Sequence, residues 1–153
     1  MISVIKFVRA LFTPDVVFDL RSPTATMPRR GSTEAAGLDL YCCEKIVRVA
    51  PGTTVKIDTG VVSRFNKGWG AFIWDRGSMG VVGMHRLAGL VDSDYRDTWK
   101  VIMNNTTSEP FVIRKGDRIA QVVFQRCWMG TPKFGTVTVD TERGTGAFGS
   151  TGK

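Results

Sequence analysis

Three stretches of this sequence carry side chains whose types and spacing suit chemistry on an anion. Gly89-Leu90-Val91-Asp92-Ser93-Asp94-Tyr95-Arg96-Asp97 sets three carboxylates within six residues, directly after an apolar pair. Asp92 is the one expected to be partly buried, and a carboxylate held there takes a proton from water or anchors a metal-bound water. Taken alone, the segment reads more simply as a turn whose aspartates accept local backbone N–H groups. Asp75-Arg76-Gly77-Ser78-Met79-Gly80 joins arginine, a backbone nest and a hydroxyl, a combination that suits phosphate although short turns of this composition are common. The lone His85 fits a structural position or a peripheral substrate contact better than a general base, because no serine or cysteine nucleophile motif surrounds it.

The third stretch is the tail, which contains a literal G-x-G-x-x-G at Gly144, Gly146 and Gly149. In a dinucleotide-binding fold this motif opens a helix whose N-terminus holds the pyrophosphate. Too few residues follow Gly149 for that helix, and no lysine precedes Ser150-Thr151 to make a P-loop. Both mononucleotide readings fail on context, but the chemical content survives. Glycines free backbone N–H groups to wrap an anion, Arg143 adds a fork suited to phosphate, and Ser150 and Thr151 add hydroxyl donors. Phe148 offers a flat face for a base. The alternative is a flexible solubilising tail; the clustering of these groups within nine residues favours function.

The elements that must position these groups are short. Seventeen glycines and six prolines punctuate the chain and leave little room for long helices. Thr54-Val55-Lys56-Ile57 and Thr136-Val137-Thr138-Val139 alternate with the period of a half-buried strand. Residues 119–124 and 70–74 are denser apolar runs, as in strands buried on both faces. Pro51-Gly52 and Lys115-Gly116-Asp117 read as turns between neighbouring strands. Residues 14–30, with three prolines, read as an irregular surface wrap before the core resumes near Ala35. Many short strands separated by turns predict an all-β sandwich or jelly roll. The expected organisation is one β domain over residues 1–141 and a flexible arm over 142–153 that orders only against something else.

At 153 residues, with 42% hydrophobic and 23% charged side chains, the chain fits one globular core that needs neither disulfides nor metals. Cys42, Cys43 and Cys127 form no disulfide framework and, with one histidine, no zinc site; they read as small hydrophobes in a reducing compartment. No apolar run suits a signal core or a transmembrane helix, so the expectation is an intracellular protein with no membrane partner. The formal charge of +7 suggests anionic partners. The basic residues form no run like a nucleic-acid arm, however, so no nucleic-acid partner is expected.

Taken in order, these segments resemble the five motifs of the trimeric dUTPase family. Ala36-Gly37-Leu38-Asp39-Leu40-Tyr41 is similar to the first, Arg76-Gly77-Ser78-Met79-Gly80 to the second, and residues 89–95 to the third. Gly116-Asp117-Arg118-Ile119-Ala120-Gln121 is similar to the fourth and residues 143–152 to the fifth. The resemblance implies a jelly-roll (β-clip type) subunit of a homotrimer, with a C-terminal arm that closes over a neighbouring subunit's site. It implies hydrolysis of dUTP to dUMP and pyrophosphate, which lowers dUTP and supplies dUMP for thymidylate synthesis. By motif, Asp92 would activate the water that attacks the α-phosphorus, and Tyr95 would pack on deoxyribose and exclude a 2′-hydroxyl. The hairpin that includes Met84, His85, Arg86, Gly89, Leu90 and Val91 would read uracil through backbone groups. Arg76, Gly77, Ser78 and Gln121 would hold the phosphates. Arg143, Gly149, Ser150 and Thr151 would clamp the far end, and Phe148 would stack on uracil. Mg2+ would arrive with the triphosphate, with Asp39 reaching its water shell.

Three positions depart from the family pattern. Gly77 and Ser78 are exchanged relative to the usual R-S-G, Asp97 stands where a glycine commonly follows the third motif, and Ala147 replaces a glycine beside Phe148. The methyl of Ala147 disfavours positive φ in the arm. The nearest enzymatic alternative, a dCTP deaminase of the same fold, needs a glutamate close behind the third motif, and after that motif none occurs before Glu109. A regulatory protein that uses the same scaffold for binding is the reading from another class; the intact set of site residues argues against a purely non-catalytic role.

Overall fold

The computed structural model describes residues 13–147. Among these the elements run β1 (Val17–Leu20), β2 (Leu38–Tyr41), β3 (Ile46–Val49), β4 (Thr54–Asp58), β5 (Val61–Arg64) and β6 (Trp69–Trp74). A one-turn helix α1 (Gly77–Val81) follows, then β7 (Met84–Leu87), β8 (Leu90–Val91), β9 (Lys100–Asn105), β10 (Phe111–Arg114) and β11 (Arg118–Arg126). All pairings are antiparallel: a four-stranded sheet β2-β11-β6-β8, a three-stranded sheet β4-β9-β7, and the ribbons β1-β5 and β3-β10. The architecture is the expected all-β jelly roll.

The two dense apolar runs become β6 and β11, the inner strands of the larger sheet. Burial on both faces is why they lack clean alternation. β9 sits centrally in the other sheet and alternates strictly, with Val101, Met103 and Asn105 inward. Asn105 is a fully buried amide, but it donates to the carbonyls of Val49 and Glu109 and accepts from the N–H and hydroxyl of Thr107. Every amide group it buries is therefore paired, as burial requires. Leu40, Ile57, Met84, Trp99, Ile113, Ile119 and Val122 fill the space between the sheets.

Gly52 and Gly116 take left-handed φ of 68° and 84°, so the expected turns form. Each joins strands of different sheets, since β3 pairs with β10 and β11 with β2. The stretch expected to be an irregular wrap contains β1, whose Phe18 meets Trp99 and Phe124 edge-on at 5.8 and 6.3 Å. Four residues paired only to β5 gave the sequence too short a signal. Thr136–Val139, expected as a half-buried strand, pairs with nothing among the described residues, and Val137 and Val139 are exposed. Its alternation meets no sheet edge among the described residues. Cys42 and Cys43 are buried and burial pushes the Cys42 thiol up to about 11, which suits packing groups. Among the described residues no helix is long and apolar enough to cross a membrane.

Asp58, at the end of β4, ties β4 to β9 and to the following turn. Its carboxylate accepts from Lys100 Nζ, from Gly60 N–H at 2.7 Å and from Thr98 Oγ1 at 3.3 Å. Burial pushes its carboxyl up, but these hydrogen bonds outweigh burial and hold it below the usual carboxylate range. A depressed folded pKa contributes stability above the unfolded value, about 3.9, and loses it as pH falls through the folded value. Asp58→Asn should therefore lower stability at pH 7 by about 1 kcal/mol after solvent screening. Thermal unfolding of both proteins from pH 7 to pH 2 should show that gap closing below pH 4.

Candidate functional site

Register sets Asp39 of β2, Gln121 of β11 and Trp74 of β6 side by side across three adjacent strands. Beyond Trp74 the chain turns through Asp75 into α1, with Arg76 at its N-cap. Arg76 reaches back, and its Nε donates to Asp39 Oδ1 at 2.8 Å while Arg118 Nη1 donates to Oδ2 at 3.3 Å. Asp39 is 8% exposed, and an unpaired carboxylate so buried costs several kcal/mol. Both its oxygens are engaged instead. One carboxylate against two guanidiniums leaves the cluster with a net positive charge, suited to phosphate. Arg76 Nη1 also meets Ser78 Oγ at 3.1 Å, which brings the second motif's hydroxyl into the same cluster.

Gly37 explains the first motif's glycine, since a Cβ there would stand 2.6 Å from Gln121 Oε1. The space it leaves lets Gln121 Nε2 donate to the Asp75 carbonyl at 2.9 Å. Nothing lies within 4 Å of a Cβ built on Gly77, so the exchanged Gly77-Ser78 order sits in open space. Asp75 in turn accepts the Arg86 N–H on Oδ1 at 2.7 Å, with His85 Nδ1 3.6 Å from Oδ2.

A second feature is a cleft of about 200 Å³ lined by Ile73, Ala88, Gly89, Leu90, Asp92 and Tyr95. Gly89 has φ of 123° and a Cβ there would press on Ile73 at 2.9 Å, so only glycine lets the loop lie on β6. Its carbonyl accepts the Ile73 N–H at 2.7 Å and closes that wall. Asp92 was expected to be partly buried; it is exposed on the rim, because β8 is a two-residue edge strand that covers little. The backbone-capping role belongs to Asp97, whose Oδ1 accepts the Thr98 N–H at 2.7 Å. The Asp92 side chain has no hydrogen-bond or ionic partner among the described residues, and Tyr95 lies half-exposed beside it.

The hairpin residues divide. Met84 is wholly buried in the core, so its side chain positions the hairpin and touches no ligand. His85 is half-exposed beside Asp75. The Arg86 guanidinium lies 5.2 Å from the Trp74 ring centre and outside the cleft's lining. Leu90 is exposed and Val91 half-buried. Arg143 is exposed and donates to its own Gly146 carbonyl at 3.0 Å. Phe148, Gly149, Ser150 and Thr151 lie outside the described residues. Within one chain, no hydrogen bond or ion pair joins Asp92 to the Asp39–Arg76–Arg118 cluster among the described residues.

Two residues were not singled out from sequence. Arg118 stood inside the fourth motif, and Asp75 directly before the second; only the register of β11 and the return of β7 give them roles. For a metal, the described residues hold no group of three His, Cys, Asp or Glu side chains fit to bind one, and both Asp39 oxygens face cations. They build no protein-only Mg2+ seat.

The dUTPase family profile matches residues 23–152. The chain is 42% identical over 132 residues to the deoxyuridine 5'-triphosphate nucleotidohydrolase of Paramecium bursaria Chlorella virus 1, which covers 84% of this chain and 92% of that one. It is 39% identical over 139 residues to the protein of that name from Debaryomyces hansenii, covering 88% of this chain and 85% of that one. The fold is similar to that of Staphylococcus bacteriophage 80alpha dUTPase solved with dUpNHpp, with a TM-score of 0.80, 23% identity, and coverage of 90% of this chain and 98% of that one.

Asp39→Asn keeps the side chain's shape but leaves two close guanidiniums without a counter-charge. It should cost about 2–3 kcal/mol, below the full value for a buried pair because Arg118 is half-exposed. Urea unfolding should show a lower midpoint with an unchanged slope.

Proposed function

The chain belongs to the dUTPase family, and on that premise we propose that it hydrolyses dUTP to dUMP and pyrophosphate, lowering dUTP and supplying dUMP for thymidylate synthesis. The observation that carries this reading is Asp92, a carboxylate without a side-chain partner among the described residues, on the rim of a cleft it shares with Tyr95. Hydrolysis of a phosphoanhydride needs a positioned water, neutralised phosphate charge and in-line geometry, and no covalent nucleophile. Asp92 orients the water and takes its proton as the oxygen adds to the α-phosphorus. The bond from that phosphorus to the bridging oxygen breaks, pyrophosphate leaves, and the proton passes to solvent. Tyr95 packs on deoxyribose and leaves no room for a 2′-hydroxyl, while backbone groups of residues 84–91 read uracil.

Arg76, Ser78 and Gln121 hold the phosphates, and Asp39 acts as the positioning carboxylate that fixes Arg76. Magnesium's place in this reading is on the triphosphate, since the described residues offer it no seat of their own. An intracellular setting follows from the nucleotide substrate.

The working unit in this reading is a homotrimer, supported by two observations. Among the described residues no hydrogen bond or ion pair joins the Asp92 side chain to the phosphate cluster within one chain, and in this reading a neighbour completes each site. Trp128, Met129, Phe134, Val137 and Val139 are exposed, and so much apolar surface in one segment marks an interface. Residues 142–153 then close as an arm over a neighbouring site, where Arg143, Phe148, Gly149, Ser150 and Thr151 clamp the nucleotide and exclude water.

Pyrophosphate release with Mg2+ should occur from dUTP and not from dTTP, dCTP or UTP. Asp92→Asn should reduce it at least about 10³-fold while dUTP binding by calorimetry stays within a few-fold. Full activity in this variant excludes Asp92 as the water-activating group. Deleting residues 143–153 should abolish turnover and leave a trimeric mass in light scattering; a truncated protein that turns over dUTP normally rules out the arm's role.

A further inference from the structure

Ala88 is the only residue other than glycine with positive φ among the described residues, at 61°. A methyl-bearing residue in the left-handed region is strained, and such strain persists only where neighbouring contacts enforce it. Ala88 lies between β7 and β8 and, with Gly89, forms the wall of the Asp92–Tyr95 cleft. The contact that holds it comes from Arg86, whose Nη1 donates to the Ala88 carbonyl at 2.8 Å.

Arg86 is itself held from the strand that the hairpin faces. Its N–H donates to Asp75 Oδ1 at 2.7 Å, and its buried Nε lies 4.0 Å from the same oxygen. The guanidinium lies 5.2 Å from the centre of the Trp74 ring, within the range of a cation–π contact. Trp74 and Asp75 are rigid in turn. Trp74 pairs with Gln121 in the β6–β11 ladder, and Gln121 holds the Asp75 carbonyl at 2.9 Å.

We propose that Arg86 is a positioning residue for nucleotide specificity: it braces the strained turn at Ala88 against β6 and so fixes the backbone that reads the base. The proposal rests on the dUTP reading of the cleft and changes the role expected of Arg86 from substrate contact to brace. It predicts a particular non-additivity. Glycine at position 88 adopts positive φ without strain, so with Ala88→Gly in place the brace has little left to hold.

The test is dUTP kinetics on the full chain, its Arg86→Ala and Ala88→Gly variants and the double variant. In the wild-type background Arg86→Ala should raise KM for dUTP roughly 5- to 10-fold with kcat within about 2-fold. In the Ala88→Gly background the same substitution should change KM by less than about 2-fold. An unchanged KM in the first background, or an equal rise in both, overturns the brace, and an equal rise returns Arg86 to direct substrate contact. Arg86→Gln, which keeps a donor without charge, carries the same comparison should the alanine variant fail to fold. Thermal unfolding of the four proteins gives a second reading, independent of substrate. The loss in Tm from Arg86→Ala should be clearly smaller in the Ala88→Gly background, and equal losses overturn the proposal. A wild-type protein that leaves dUTP intact sinks the functional reading alone, because the Tm cycle still decides the brace.

Discussion

Six consecutive pairs join β6 to β11, from Gln121 opposite Trp74 to Arg126 opposite Trp69, and this ladder fixes the distance between the charge cluster and the Asp92 cleft within one chain. At one end Gln121 lies between Asp39 and Trp74, and the chain leaving β6 delivers Asp75 and Arg76 to the charge cluster. Toward the middle, Phe72 and Ala71 pair with Leu90 and Val91, which sets the cleft wall. A one-residue slip would turn every side chain of β6 to the opposite face. It would remove Ile73 from the core and Gln121 from Asp75 together. The apolar inward residues Ala71, Ile73, Ala120 and Val122 are what forbid that slip, so packing enforces the site's spacing.

The charges follow a simple rule of surplus. Asp39 takes two arginines, one on each oxygen, so the phosphate side keeps one cation in excess. Asp92 is the reverse case, an exposed carboxylate with no side-chain partner among the described residues. Two carboxylates of one type thus take opposite tasks from their surroundings. The buried one is silenced by pairing and organises arginines; the exposed one is left free to bind water.

Much of this was readable in the sequence because it is local. The β6 and β11 runs, the turns at Gly52 and Gly116 and the motif residues are set by patterns a few residues long. What escaped depends on pairing across the sheet. Phe18 matters through Trp99 and Phe124, far along the chain, so β1 looked like an irregular wrap. Asp75 gains its role only when β7 returns beside it and Gln121 arrives on β11. The expected burial of Asp92 failed because the apolar pair before it lies on a two-residue edge strand. The alternation of Thr136–Val139 carries the period of a strand, yet the segment pairs with no edge among the described residues.

A site that reads a base through backbone groups, as proposed for this hairpin, has a particular weakness. Side chains settle into stiff rotamers, but a loop's carbonyls and N–H groups move with every φ and ψ between its anchors. Specificity then depends on removing that freedom, and this loop is held at several successive points. Arg86 N–H is fixed on Asp75, the Ala88 carbonyl on Arg86, and the Gly89 carbonyl on Ile73 N–H. All of these anchors lead to β6, the strand already locked by the ladder with β11. Residues 88 and 89 both carry positive φ, which aims consecutive peptide groups in directions an ordinary turn does not reach. The second position can hold only glycine, because Ile73 lies against it. The first carries alanine with its carbonyl held by Arg86, and on the proposed reading a strained turn held in this way has less freedom to fit the wrong base.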